Sequence, residues 1–135
     1  MKRAIWAAFL AVIVSVFAVS CSKTSMNSAK LVGTWKLISQ TVTLNGVSVS
    51  EPFSDNVTVE IIKGGTLTIT ETEGSKTYTV AGTWTVVDDE VIVSITTGGS
   101  TTYHIESLDS KNMVLSHTEA YDSSIYTISE TFVKI

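Results

Sequence analysis

From residue 31 to the end of the chain, apolar and polar residues alternate with a period of two, and turn signals interrupt the alternation every few residues. No other feature limits the fold as tightly. Successive side chains of a strand point to opposite faces, so such runs bury one face and hydrate the other. No stretch keeps apolar residues at the i, i+3, i+4, i+7 spacing of an amphipathic helix, and a single helical turn near residues 26–31 is all that the pattern allows. The strand over 34–44 runs into Asn45-Gly46, a two-residue hairpin signal, because both central positions of a type I′ turn need positive φ. A short return strand follows over 47–49, and Pro52 excludes a central position there, since proline lacks the ladder donor. Further strands are expected over 56–63, 66–72, 76–87, 91–97, 101–108, 113–118 and 125–134, the last after a longer loop over 119–124. Short turns make sequential strands antiparallel neighbours. The expectation is an all-β, up-and-down meander of about eight strands. Closure into a barrel removes the exposed edges, and no helical segment is available to cover an open sheet.

Parity assigns the faces. Over 76–87, Tyr78, Val80, Trp84 and Val86 share the inward side, with Gly82 interrupting the set at a bend or a close backbone approach. Tyr103 and Ile105 face inward from a later strand. The first strand places Trp35 and Leu37 together, with Lys36 and Gln40 outward. The inward set assembled in this way contains no charged residue, so a ligand in that space would be apolar in its buried part, because an unpaired buried charge is costly. Trp35, Tyr78, Trp84 and Tyr103 are the residues expected to fill the core or line a pocket, with the two tyrosines supplying polar contacts.

The domain opens on Leu31-Val32-Gly33-Thr34-Trp35-Lys36-Leu37, and a second Gly-Thr-Trp stands at Gly82-Thr83-Trp84. The Gly-x-Trp at the start of the first strand resembles the N-terminal signature of lipocalins. The pair, in a chain of this size, is similar to the small lipocalin-like domains of Bacteroidetes lipoproteins. That resemblance implies a lipocalin-like barrel over residues 31–135, in which glycine turns the entering chain and the indole plugs one end.

The N-terminus carries a different message. Met1-Lys2-Arg3 precedes a nearly unbroken apolar run over residues 4–18, closed by Ala18-Val19-Ser20-Cys21. This is the layout of a secretory signal, and its last four residues resemble a bacterial lipobox. The run is shorter than the ~20 residues that a spanning helix needs. Cys21 is the single cysteine and can form no internal disulfide. The resemblance implies a signal peptide over 1–20 and acyl chains on Cys21. Residues 22–29 are small and polar, so 21–30 reads as the lipidated Cys and a flexible tether, with eight residues reaching at most about 26 Å. Ser22 and Lys23 follow the Cys, and no acid occurs before Glu51. For a lipoprotein this implies outer-membrane attachment facing the periplasm.

Beyond residue 20 the chain has 7 Lys and Arg against 13 Asp and Glu, a balance of −6 with the lysines scattered. Nucleic acid is excluded as a partner, since phosphate binding needs a basic patch. His104 and His117 lie 13 residues apart with no second close ligand, short of the three or four a zinc site needs. By parity His104 faces outward, and His117 shares its side with Met113 and Leu115 near the barrel rim. Asp88-Asp89-Glu90 lacks calcium-loop spacing, and no Gly-x-Ser-x-Gly or phosphate loop occurs. Neither an enzyme nor a cofactor is expected. Two readings stay open. One is a lipid-anchored module that binds a small apolar ligand in its barrel. The other is an interaction lipoprotein with a filled core, whose Tyr121, Ile125 and Tyr126 meet an envelope partner. A cavity of about 300 Å³ or more separates them. Close packing of about 105 residues favours the filled core.

Overall fold

The computed structural model describes residues 23–52 and 56–135. A short helix, α1 (residues 23–31), leads into nine strands: β1 (Gly33–Leu44), β2 (Val47–Pro52), β3 (Asn56–Ile62), β4 (Thr66–Glu73), β5 (Lys76–Val87), β6 (Glu90–Ile95), β7 (Ser100–Leu108), β8 (Asn112–Tyr121) and β9 (Ser124–Lys134). Every pairing is antiparallel, and β1 pairs with β9, so the sheet closes on itself. The closed barrel has eight strands, β1 and β3–β9. β2 is an extra strand, because β1 spends its first half on β3 and its second half on β2. All of β2 is exposed, and it ends on Pro52, as the missing ladder donor requires.

The expected turns position the strands. Asn45 and Gly46 both take positive φ, the type I′ conformation. One loop differs. The longer connection expected over 119–124 is a two-residue turn at Asp122-Ser123, both in the left-handed region, with Tyr121 paired to Ser124 across it. Asp tolerates that conformation better than most residues, so a tight turn forms without glycine.

The barrel has a closed end and a mouth. The closed end holds α1, the start of β1 and the turns β3–β4, β5–β6 and β7–β8. Leu31 and Trp35 are fully buried there. The Trp35 indole N–H donates to the Leu31 carbonyl at 2.8 Å, closing the turn from helix to strand. Lys134, at the end of β9, lays its ammonium 4.9 Å from the Trp35 ring centroid and donates to the carbonyls of Lys30 and Val32. These carbonyls lie at the helix C-terminus, where backbone acceptors lack intrahelical partners and a cation is favoured. Gly33 is required beneath that lysine: φ is +144°, and a Cβ would stand 2.8 Å from Lys134 Cε.

The flexible tether expected over 22–29 is instead the helix α1 from residue 23 onward, docked on the β5–β6 turn. Lys23 Nζ meets Asp89 Oδ2 at 2.7 Å, Asn27 Nδ2 donates to the Asp88 carbonyl at 2.6 Å, and the Asp88 N–H donates to Thr24 Oγ1. The polar composition that suggested a tether supplies these anchoring groups. Cys21 and the segment 1–20 lie outside the described residues.

The core fills the closed half: Trp35, Leu37, Ile61, Leu67, Trp84, Val86, Val91, Ile105, Met113, Leu115 and Phe132 pack with Leu31 into one cluster. Trp84 donates its indole N–H to the Ile62 carbonyl at 2.9 Å, tying β5 to the end of β3.

Candidate functional site: the barrel interior

A cavity of about 130 Å³ remains inside the barrel. Its walls are apolar, with Trp84, Met113 and Phe132 toward the closed end, and with Tyr103 of β7 and Glu130 of β9 as its polar groups. The volume is below the 300 Å³ expected of an ordinary ligand pocket. It is close to the ~150 Å³ of an engineered apolar cavity that accepts benzene. The closed half is filled and the space that remains is the size of one small ring.

Glu130 overturns the expectation of an uncharged interior. Its register explains the placement. Met113 opposes Phe132, Leu115 opposes Glu130 and His117 opposes Ile128, so these residues share the inner face of β8 and β9. The sequence held the signal, because Glu130 has the parity of Ile128 and Phe132. Burial raises the Glu130 pKa above the ordinary carboxylate value and Glu119 adds to the shift, with His117 acting the other way. Tyr103 is pushed up to about 12, first by burial and then by the charges of Glu130 and Glu119.

His117 completes the group. Its side chain is only 9% exposed, and its ring meets that of Tyr103 edge-on, 4.9 Å between centroids. Nε2 lies 3.1 Å from Glu119 Oε1. Nδ1 is buried and makes no hydrogen bond among the described residues, and Glu130 Oε1 stands 3.8 Å away. A carboxylate only accepts, so in a neutral ring the Glu119 contact puts the proton on Nε2 and leaves Nδ1 a lone pair.

A bulge in β1 brings one more polar residue to this face. Leu37 pairs with Phe132, but Ser39 pairs with Thr131, and the shift at Ile38 reverses the parity of the rest of the strand. Gln40 therefore opposes Glu130 and shares the inner face, contrary to the outward position expected from strict alternation.

The four aromatic residues singled out in the sequence separate. Trp35 plugs the closed end, Trp84 and Tyr103 line the cavity, and Tyr78 joins neither. Tyr78 has inward parity but is 52% exposed, because it pairs with Glu71 on β4 where β6 no longer reaches β5. His104 opposes Glu90 and Ser116 on the outer face and takes no part. Among the described residues, no three His, Cys, Asp or Glu side chains come together as a metal site.

A family model described as a lipocalin-like domain matches residues 31–115. The chain belongs to the lipocalin-like family. Solved structures agree with this lipocalin-like protein in fold. A lipocalin-like protein from Bacteroides uniformis superposes with a TM-score of 0.60 at 16% identity, over 78% of this chain and 99% of that one. Apocrustacyanin C1 gives a TM-score of 0.60 at 12% identity, over 87% of this chain and 68% of that one. Lobster apocrustacyanin A1 gives 0.56 at 11%, with the same coverage. At these identities the likeness is one of fold. No curated protein matches the lipocalin-like chain in sequence.

Proposed function

We propose that this is a lipid-anchored envelope protein whose lipocalin-like barrel binds one small, mainly apolar molecule. The observation that carries the binding role is the cavity of about 130 Å³ with Tyr103 and Glu130 in apolar walls. A barrel that served only as a scaffold gains nothing from a buried carboxylate, because burying a charge costs stability that an apolar residue would not. The cavity limits the ligand to about the bulk of a single ring. Anchoring rests on Cys21, which follows the apolar run 4–18 and precedes no acid before Glu51, a pattern in keeping with outer-membrane attachment facing the periplasm. Mass spectrometry of protein purified under native conditions from its own envelope tests the binding role. A co-purifying small molecule, displaced on unfolding, supports it. In parallel, Trp84 lines the cavity, so saturable quenching of its fluorescence by single-ring compounds is expected. No response to any such compound would overturn it.

A second reading, an interaction protein, draws on the mouth. Tyr121 and Ile125 are 74% and 70% exposed on either side of the β8–β9 turn, and Val47 and Val49 of β2 are exposed nearby in sequence register with Leu44 and Val42. Exposed apolar groups of this kind suit a protein partner. Retained association with envelope proteins in wild type, lost in a Tyr121→Ser, Ile125→Ser variant, would favour it.

A further inference from the structure

Among the described residues β2 pairs with β1 and with no other strand, and all of it is exposed. The hairpin fixes which of its backbone groups are spare. Asn45-Gly46 is a two-residue turn, so Leu44 and Val47 exchange both ladder bonds, and the exchange recurs at every second pair. Val47, Val49 and Glu51 therefore bond to β1, while Ser48 and Ser50 turn their N–H and C=O groups away from it. Pro52 falls in the outward set, so its missing donor costs the β1 ladder nothing. An open edge is a template for another strand, and proteins blunt such edges with charge or proline. Residues 47–50 carry neither.

The two faces of β2 specify what a further strand must bring. Val47 and Val49 lie on the side of Val42 and Leu44, and with Asn45 and Tyr126 they line an open apolar cleft of about 510 Å³ above the mouth. On the other face Thr41 bonds Ser50 and Thr43 bonds Ser48 through their hydroxyls, each at 2.7 Å. Glu51 stands on the valine side, opposite Gln40. The strands around it add Glu119, Asp122 and Glu130, and no Lys or Arg occurs over residues 37–52 or 112–133. This leaf therefore attracts a cationic partner, and pairing β2 with β2 of a second copy would set two acidic leaves together.

We propose that the β2 edge binds an extended, basic peptide segment of another protein as an added antiparallel strand. Its side chains run basic, hydroxyl, apolar, hydroxyl, apolar, opposite Glu51, Ser50, Val49, Ser48 and Val47. Main-chain bonds to Ser48 and Ser50 supply affinity, the apolar residues cover the cleft, and the cation meets Glu51. This builds on the interaction reading of the mouth, gives it a partner, and makes no use of the barrel cavity.

The test is fluorescence anisotropy of a labelled, capped peptide Lys-Thr-Val-Thr-Val with the intact protein in detergent micelles. One control peptide is N-methylated at both threonines, which removes the donors facing Ser48 and Ser50. Another carries Glu in place of Lys. Each control is expected to bind about tenfold or more weaker than the parent, and the parent to weaken as salt rises. Amide hydrogen exchange should slow at Ser48 and Ser50 when the parent binds. Ser50→Pro removes an outward donor and spares the bonds to β1, so it should weaken binding; the peptide comparison in the unaltered protein does not depend on how that variant folds. An N-methylated peptide that binds as tightly as the parent, or no binding of the parent, overturns strand addition. So does slowed exchange at Ser48 and Ser50 on concentrating the protein alone, which would make a second copy the occupant. If the Tyr121→Ser, Ile125→Ser variant still loses its envelope partners, the interaction reading survives those results. The small-molecule reading stands or falls separately, on the single-ring compounds.

Discussion

At the scale of single residues, Glu130 sets stability against the binding role proposed for the cavity. Its pKa is raised in the folded barrel by burial. Between its unfolded and folded values the folded chain therefore holds more protons than the unfolded one. Stability contributed at this position is present at low pH and is lost as pH rises through that window. Glu130→Gln removes the charge without changing shape. The variant should unfold at a higher Tm than wild type at pH 7, and the gain should disappear as pH falls below the ordinary glutamate value of 4.5; thermal melts by circular dichroism across pH measure this. A residue proposed to serve binding that weakens its own scaffold is a familiar exchange. Trp84 does the opposite, since it both lines the cavity and bonds β5 to β3. Trp84→Ala should cost about 3–5 kcal/mol, the range for large aromatic truncations. Thr85→Ala, on the exposed face next to it, should leave the urea midpoint nearly unchanged.

At the scale of elements, the close contact of β5 with β6 explains one glycine. A Cβ on Gly82 would stand 2.5 Å from the Ser94 carbonyl oxygen on the neighbouring strand. That oxygen belongs to backbone and can move only if β6 moves. Gly82→Ala should therefore destabilise by about 1–3 kcal/mol, the usual cost of overpacking, read as a lower urea midpoint with the m-value unchanged. Gly82 stands in the sequence as a break in an apolar face, and most of the turns, the order from β3 to β9 and the closed barrel were equally legible there, because alternation and Asn-Gly-type signals are local; the pairing of β1 with β3 past β2 and the tight turn at Asp122-Ser123 were not. What was not legible is what one residue does to register. Nothing in the local pattern around Ile38 announces a bulge, yet it carries Gln40 to the inner face. Tyr78 failed for a related reason: parity fixes the side of a strand but not whether a neighbour extends far enough to cover it. Glu130 was readable from its parity with Phe132, but only by accepting a charge inside an apolar set. The helix α1 was hidden because its polar groups bond to the β5–β6 turn, more than sixty residues away.

At the scale of the molecule, charge is divided along the barrel axis. Lys23, Lys30, Lys36, Lys63, Lys111 and Lys134 belong to the closed half, and Lys76 alone stands at the mouth. The lipid anchor proposed at Cys21 precedes by two residues in sequence Lys23, which pairs with Asp89 at that closed end. Cys21→Ser is expected to shift the protein from the membrane fraction to the soluble fraction on cell fractionation. Extraction of that variant by detergent alone would rule out lipidation there. The closed half also holds Glu60, Asp88, Asp89, Glu90, Glu106 and Asp109, so it is balanced while the mouth is acidic. The docking of α1 governs more than attachment. With the helix fastened to the β5–β6 turn from residue 23 onward, an anchor at Cys21 would leave only residues 21 and 22 between the acyl groups and α1. A domain so anchored would not swing through the wide arc that eight free residues would allow. It would stand on the bilayer like a cup on its base, with its opening lifted about one barrel length into the aqueous compartment. Cargo would then arrive from and depart to the water-filled space, or a partner within it, and the lipid phase would have no direct route to the acidic rim.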